Sequence, residues 1–519
     1  MDVGGTNTDA VVMRGSNLLG QAKITTSKNI GSGVREAISA ALADAGVRAG
    51  AIDAVMIGTT QFTNALVEGR RLSRVGVMRL AAPAGRGLLP LTGWPRMLAE
   101  AVNGDVALAR GGYNFDGRAI SPLDESEIRT IARRFDAKGL RHIAVTSVFA
   151  PVNDDMERRA AEIVAKAIPG ASVTAGSTIG RLGLLERENA AIINAALIAL
   201  AEQVVDAYVS ALAALGIDAP LYLSQNDGTL MTADAVRALP VLTFAAGQTN
   251  SMRGAAGLTG HRNAIVVDIG GTTTDVGVLR HGIPRESSVA AEVGGIRTNF
   301  RMPDVLSFGL GGGSVVVEEG GTLRVGPESV GHELTRRALV FGGDTLTATD
   351  VAVASGHAMV GEPRHVAALD RRLVAEANET IHRMIEEAID RMKTSAEPVP
   401  VVLVGGGSIL LGRPLAGASG VDTPTAAPVA NAIGAASAQA GGEVDRVCAY
   451  EPLGREHALA QAREEARQKA IVAGAEPDAV EIVDVDEIPL AYLPGNAVRV
   501  RVKAIGPLAR IVRGATPCA

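Results

Sequence analysis

The sequence predicts an α/β protein built by duplication, with two related domains facing one cleft and a small α+β region at the C-terminal end. Three observations carry this. The segment Asp2 to Arg14 (DVGGTNTDAVVMR) recurs as Asp268 to Arg280 (DIGGTTTDVGVLR). Between and after the copies, apolar strand runs alternate with helical periodicity, which indicates α/β layering. Sixty-one glycines gather in short loops that follow apolar runs. The period is far too long for a solenoid and fits two homologous domains.

Taken in order, Met1-Asp2-Val3 reads as the tail of a strand whose first residues are absent. The spacing predicts a helix from Val34 to Ala45, stopped by Gly46. Ala54 to Ile57 is a short apolar run entering Gly58-Thr59-Thr60. Asp124 with Glu127 reads as a capping-box start for a helix to about Ala137, closed by Gly139. Ile143 to Phe149 reads as a strand, and Asn153 or Asp154 caps a helix that ends at Pro169-Gly170. A long Ala/Leu/Ile-rich helix is expected from about Leu182 to Leu215, with Gly216 as its stop. Ile265 to Val267 is a buried strand entering the second glycine loop. Arg371 to Met392 reads as helix and Val399 to Val404 as a strand running into Gly405-Gly406-Gly407-Ser408. Ala430 to Ala438 is a small-residue helix suited to close packing. Gly441-Gly442 precedes a charged helix (Arg455 to Ala473), then strands at Ile482 to Val485 and Val498 to Val502. The expected domains are residues 1–180, 181–442 and 443–519.

Net charge is −6, with 20% charged and 3% aromatic residues. No Lys/Arg cluster stands out, so neither nucleic acid nor an anionic membrane is the expected partner. Cys448 and Cys518 support no disulfide framework or cysteine zinc site. No apolar run is expected to span a membrane, and no signal segment opens the chain, so a cytoplasmic location is expected.

The chemistry lies in the glycine loops. After a strand, Asp-x-Gly-Gly-Thr lets backbone N–H groups approach phosphate oxygens with no Cβ in the way. On this reading Gly4, Gly5, Gly270 and Gly271 supply donors, and Thr6, Thr8, Thr272 and Thr274 supply hydroxyls. Asp2 and Asp268 are the metal-side acids for Mg²⁺, which suits carboxylate oxygens and retained waters. Asp9 and Asp275 start the following strands and orient water or metal, the catalytic candidates. Two such hairpins face to face would clamp a triphosphate, so ATP is the expected cofactor. Gly405, Gly406, Gly407 and Ser408 admit a flat ligand such as adenine or ribose. Gly309 to Ser314 (GLGGGS) belongs to the nucleotide or to the substrate. Substrate-side candidates are Thr59, Thr60, Asn64, Asn226 and Asp227, with Thr249, Asn250 and Ser251 in a second polar loop. His332 is a candidate base, and Glu186, Arg187 and Glu188 read as a helical ion-pair face or a functional one.

The chain resembles the hydantoinase A/oxoprolinase family, on the actin-like (ribonuclease H-like) ATP-binding fold. The resemblance rests on GGTNTDAVV, GTTQFTNALVEG (58–69), DIGGTTTDVGVL, GLGGGSV, VGPESVG (325–331) and TATD (347–350), in the family's order across most of residues 1–440. ERENAAIINAAL (186–197) and NDGTLM (226–231) suggest a shorter variant. Two stretches depart from the family pattern. Ala246-Gly247-Gln248 stands for its Ser-Gly-Pro, and His332-Glu333-Leu334 for the Pro-Gly-Pro-Ala-Cys run of longer members. The resemblance implies an ATP-dependent hydrolase that phosphorylates the oxygen of a cyclic amide, such as a hydantoin or lactam, for ring opening. It also implies a hydrolytic partner subunit and an oligomer. A small-metabolite kinase and a non-enzymatic ATPase that activates a partner enzyme are the competing readings.

Overall fold

The computed structural model describes residues 1–5, 7–27, 29–287, 289–451, 454–492 and 496–509. Strand β1 (Asp2–Val3) turns through the first glycine loop into β2 (Asn7–Arg14), and Gly15 turns the chain into β3 (Asn17–Thr25). Helix α1 (Ile30–Ala45) starts where the Asn29 side chain accepts the Ser32 N–H, and stops at left-handed Gly46. Next come β4 (Val55–Thr59), parallel to β1, and the short α2 (Gln61–Val67).

A separate parallel sheet of four strands follows, in the order β6-β5-β7-β8. It contains β5 (Val75–Ala82), β6 (Asn103–Arg110), β7 (His142–Ser147) and β8 (Ser172–Ala175). Helices α3 (Arg96–Val102), α4 (Glu125–Ala137) and α5 (Asp155–Ala167) connect them. Asp124 caps α4 as expected, accepting from Ser126 and Glu127. The reciprocal half of the box is absent because the Glu127 carboxylate accepts from Arg110 N–H instead. At α5 the capping atom belongs to Asn153, which accepts the Asp155 N–H.

Helix α6 (Leu184–Ala214) is the core of the first lobe. Its length and composition alone would let it cross a membrane, at a mean hydropathy of 1.6. That differs from the sequence expectation, but 72% of its apolar window is buried inside the protein. Its polar start is not a surface face either. Glu188 is fully buried and accepts from Arg79 Nε at 2.7 Å and Thr146 at 3.0 Å, pinning the helix to the four-stranded sheet. Strands β9 (Leu221–Ser224) and β10 (Leu230–Thr232), then helix α7 (Ala233–Ala238), complete this stretch.

Helix α8 (Ala246–Thr259) leads into the second lobe. Its central sheet holds β11 (Ala264–Ile269), β12 (Thr274–Arg280) and β13 (Ile283–Pro284). Hairpin β14 (Ala291–Val293) and β15 (Ile296–Thr298) stands apart, and β16 (Val305–Phe308) pairs with β12. Hairpin β17 (Ser314–Glu319) and β18 (Thr322–Ser329), then α9 (Leu334–Arg337), α10 (Ala348–Ala354) and α11 (Arg371–Met392), cover one face. Strands β19 (Val399–Val404) and β20 (Ala418–Asp422) finish the sheet, and α12 (Ala430–Ala436) leaves it.

The duplication is visible in the strand register. β1 pairs antiparallel with β2 (Asp2 opposite Asp9) and parallel with β4. β11 pairs antiparallel with β12 (Asp268 opposite Asp275) and parallel with β19. Both loops close with the same turn bond, Gly4 N to Asn7 O at 3.0 Å and Gly270 N to Thr273 O at 2.9 Å.

The last segment is a small α+β unit, as expected, and it extends the first lobe's sheet. The boundary expected after residue 442 falls inside β21 (Ala440–Ala449). With α13 (Arg455–Val472) packed on it, β21 joins β22 (Glu481–Pro489) and β23 (Ala497–Gly506) to the first lobe's sheet. That sheet runs β22-β23-β21-β10-β9-β4-β1-β2-β3. Gly441-Gly442 lies within the strand: a Cβ on Gly442 would lie 2.2 Å from Ala466 O, so only glycine lets α13 settle this close.

A knot of ion pairs joins this segment to both lobes. Lys503 Nζ lies 3.0 Å from Asp227, and Arg501 lies 2.9 Å from Glu286. Arg301 bonds both Asp227 and Glu443. Asp227, Glu286 and Glu443 bring ligand atoms within 4.8 Å of one another, but Arg181, Arg301, Arg501 and Lys503 already match their charge.

Candidate functional site

The two hairpins open toward one place, and a single helix turn proves it. Consecutive residues of α8 touch the leading acid of each copy: Asn250 Nδ2 donates to Asp2 Oδ1 at 3.5 Å, and Ser251 Oγ to Asp268 Oδ2 at 2.5 Å. Asn431 of α12 donates to Asp2 at 3.0 Å and to Asp9 at 3.2 Å. Thus the two helices that cross between the lobes also tie the acids together.

That crossing needs glycine. A Cβ on Gly254 would sit 1.8 Å from Ala430 O, and one on Gly434 would sit 1.8 Å from Asn250 O. The backbones of α8 and α12 therefore meet directly, which sets Asn250, Ser251 and Asn431 at the acids.

The two acid pairs have different surroundings. Asp9 is bonded by Lys23 Nζ at 2.7 Å, so its charge is matched. Asp268 and Asp275 accept from the hydroxyls of Ser251 and Ser307 and have no ion-pair partner among the described residues. Burial raises the carboxyls of Asp2 and Asp268, and it pushes Asp275 up to about 6. Asn250 Oδ1 is buried beside them without a hydrogen-bond partner. Four carboxylates, of which only Asp9 has an ion-pair partner among the described residues, form a donor set suited to a hard divalent cation such as Mg²⁺.

Gly271 and Thr272 are exposed, and a Cβ at Gly271 would meet nothing within 4 Å. The same holds for Gly406 in the third loop. Gly405 is left-handed (φ 82°), and a Cβ there would lie 2.3 Å from Asp268 Oδ1. The third loop thus abuts the second acid, and Gly407 is buried against Ile269. Ser408 follows, half-buried, in the turn Gly406–Leu410. Gly58, opposite Asp2 on the neighbouring β4, is constrained in a similar way, since a Cβ there would lie 2.4 Å from Asp2 Oδ1. Gly4 and Gly5 frame the first loop, and Thr6 lies outside the described residues.

Several expectations need correction. Thr8 and Thr274 do not face the cleft. Thr274 is fully buried with its hydroxyl donating to Leu310 O at 2.7 Å, and Thr8 Oγ1 lies 3.1 Å from Thr26 Oγ1. Each precedes a cleft-facing Asp on a strand, so alternation sends it to the opposite face. Asn226 is a structural residue: its amide donates to Val241 O at 3.0 Å and accepts the Ala245 N–H at 2.8 Å. Asp227 belongs to the ion-pair knot; against the cost of burial, Lys503 and Arg301 hold its carboxyl well below the usual range. Thr59 is buried and accepts the Tyr208 hydroxyl at 3.1 Å. Thr60 and exposed Asn64 do stand at the cleft rim, since Asn64 Nδ2 would lie 3.7 Å from a Cβ on Gly5. Thr249, Asn250 and Ser251 are helical rather than in a loop. His332 is exposed. The GLGGGS strap supports the second loop from behind, with Gly312 N to Gly270 O at 3.0 Å and Gly313 N to Gly271 O at 2.7 Å. Lys23 and Asn431 are site residues the sequence reading missed; neither lies in a recognisable motif.

Several known proteins are similar to this chain. The chain is 27% identical over 393 residues to the acetophenone carboxylase gamma subunit of Aromatoleum aromaticum, covering 69% of this chain and 53% of that one. It is 27% identical over 270 residues to the caprolactamase subunit alpha of Pseudomonas jessenii, covering 51% and 37%. The chain thus spans about half or less of the curated relatives it matches. Among solved structures, the ATP-dependent caprolactamase of Pseudomonas jessenii superposes with a TM-score of 0.76 at 18% identity, covering 100% of this chain and 89% of that one. Nucleotide-free acetone carboxylase gives 0.66 at 16%, covering 98% and 87%. These two show that the fold is shared. Residues 1–168 match the family model of the hydantoinase/oxoprolinase N-terminal region, and residues 187–359 match that of hydantoinase/oxoprolinase itself. With about two thirds of its length matched in the right order, and with paired glycine hairpins around one set of acids, the chain belongs to the hydantoinase/oxoprolinase family.

Proposed function

We propose that this chain uses ATP to activate a cyclic amide, a lactam or hydantoin, for hydrolytic ring opening. The observation that carries the reading is the convergence of two duplicated Asp-Gly-Gly hairpins on adjacent residues of one helix, Asn250 and Ser251. Backbone N–H groups of Gly5 and Gly271 bind phosphate oxygens from two sides, while those of Gly4 and Gly270 close the turns that present them. The Gly405–Ser408 loop receives the nucleoside. Asp268 and Asp2, with Asp275 beside them, would hold Mg²⁺, which supplies charge neutralisation to the transferring phosphoryl group. Asp9, already matched by Lys23, positions rather than ligates.

The phosphoryl group passes to the amide oxygen. Water adds to the activated carbonyl carbon, the ring C–N bond breaks as the nitrogen takes up a proton, and hydrolysis of the resulting acyl phosphate releases phosphate and the free carboxylate. Thr60 and Asn64 at the rim are the substrate-side groups. The relatives named as subunits support a hydrolytic partner for the water-addition half.

Phosphate release from ATP, measured with a panel of lactams and hydantoins and with or without the co-expressed partner, tests this. Lactam-stimulated turnover with ring-opened product is expected, and Asp268→Asn should lower it by at least about a hundredfold. A stable phosphorylated metabolite would make the chain a kinase instead. Turnover that responds only to a protein partner would make it an activating ATPase.

A further inference from the structure

At the far end of the second lobe's sheet lies a cavity of about 550 Å³. It sits where β11 and β19 begin, β12 ends and α11 stops. Ile265 on its wall pairs with Val278, and Asp268 pairs with Asp275 three residues on. The cavity is thus roughly 10 Å along the strands from the acids, at about 3.3 Å per residue.

Its lining is unusual in charge. Apolar walls come from Ile265, Leu279, Met392 and Val399. Its ionisable residues are Arg280, Arg285 and Lys393, and no acidic residue lines it. Arg285 is neutralised by Asp304, 2.7 Å away. The Lys393 ammonium donates to the Ala396 carbonyl at 3.2 Å, with no acid in ion-pair range among the described residues. Arg280 likewise has no ion-pair partner among them, and it is exposed. An adjoining cavity of about 620 Å³ shares Arg280, Arg285 and Thr394, but there Glu286, Asp484 and Asp486 already match Arg501.

Two unmatched cations at an apolar chamber call for a ligand that brings one negative charge and an oily body. The volume falls within the ordinary range for small-molecule sites. We infer that this cavity binds a small amphipathic monocarboxylate, its head at Arg280 and Lys393 and its body against Leu279, Met392 and Val399.

Isothermal titration of the full chain with octanoate tests the inference, with octanol and acetate as the uncharged and bodiless probes. Saturable one-site binding of octanoate is expected, with both other probes at least about tenfold weaker. Arg280→Glu and Lys393→Glu should each weaken octanoate by about tenfold or more, whereas Arg280→Lys should retain it. Asp268→Asn, which alters the proposed nucleotide cleft, should leave octanoate binding unchanged. No saturable binding, or binding indifferent to both charge reversals, would overturn the assignment. Loss in Asp268→Asn with retention in Arg280→Glu would also overturn it, by moving the carboxylate to the other site.

Discussion

Asp275 stands opposite Asp268 on a half-buried strand, and its environment makes its charge expensive. Burial raises its carboxyl to about 6 from an ordinary 3.8, the Ser307 hydroxyl opposes that rise, and Asp268 adds to it. The folded chain therefore holds a proton that the unfolded chain gives up at lower pH. The stabilising contribution is complete below the unfolded value and is lost as pH climbs through about 6. Asn cannot titrate, so Asp275→Asn should gain stability relative to the parent by about 1 kcal/mol from about pH 5 to about pH 8, after discounting partial exposure. Urea melts in metal-free buffer at the two pH values measure this, and parallel pH profiles for the two proteins would refute it.

The same residue shows what was readable beforehand. The acids were legible because Asp-x-Gly-Gly-Thr-x-Thr-Asp occurs twice, and repetition turns a weak turn motif into a site. The orientation of Thr8 and Thr274 was also legible, since neighbours on a strand face opposite ways, but the hydroxyl chemistry overrode that rule in the sequence reading. Asn250 and Asn431 were not legible as acid partners, because they arrive from segments far along the chain and only the tertiary crossing makes them neighbours, whereas Lys23 lies opposite Asp9 across the β2–β3 hairpin and was overlooked.

At the scale of elements, the contact between α8 and α12 decides the site. Ala430–Ala436 was readable as a close-packing helix from its small residues, but its partner was not, because AGQTNSMRGAAGLT reads as a polar loop followed by helix. Gly254 and Gly434 let main chain meet main chain. Any side chain at either position must part the helices, and with them Asn431 from Asp2 and Ser251 from Asp268. Gly434→Val should destabilise the protein by about 3 kcal/mol, the upper end of ordinary overpacking costs. It should also weaken nucleotide binding, whereas Gly257→Ala, one turn further along α8 with only a distant serine hydroxyl near its Cβ, should do neither. Denaturant melts and fluorescent-nucleotide titration separate the two effects. A Gly434→Val protein with parental stability would show that the crossing is not tight.

For the whole molecule, a nucleotide gripped by hairpins from both lobes favours the closed form, because it bonds both only when the cleft is shut. Small-angle scattering should show a smaller radius of gyration with Mg-ATP than without, and superimposable curves would count against closure. The ion-pair knot sets a limit on this motion. Arg501 and Lys503 of β23 reach Glu286 in the second lobe, with Arg181 on the same carboxylate. Glu286→Gln removes that tether and should widen the difference between the two scattering curves. The joining of the last strands to the first lobe's sheet was not legible in the sequence, since nothing local shows that Gly442 lies under α13.

The nine-stranded sheet has a consequence for the making of the protein. Its inner strand β10 pairs on one side with β9, only a few residues earlier, and on the other with β21, some two hundred residues later. A ribosome adding about 5–20 residues per second leaves that flank bare for some tens of seconds while the entire second lobe is synthesised. During that interval the backbone at Leu230 waits for its partner at Ala440, so the two halves of the sheet can join only when the final strands emerge.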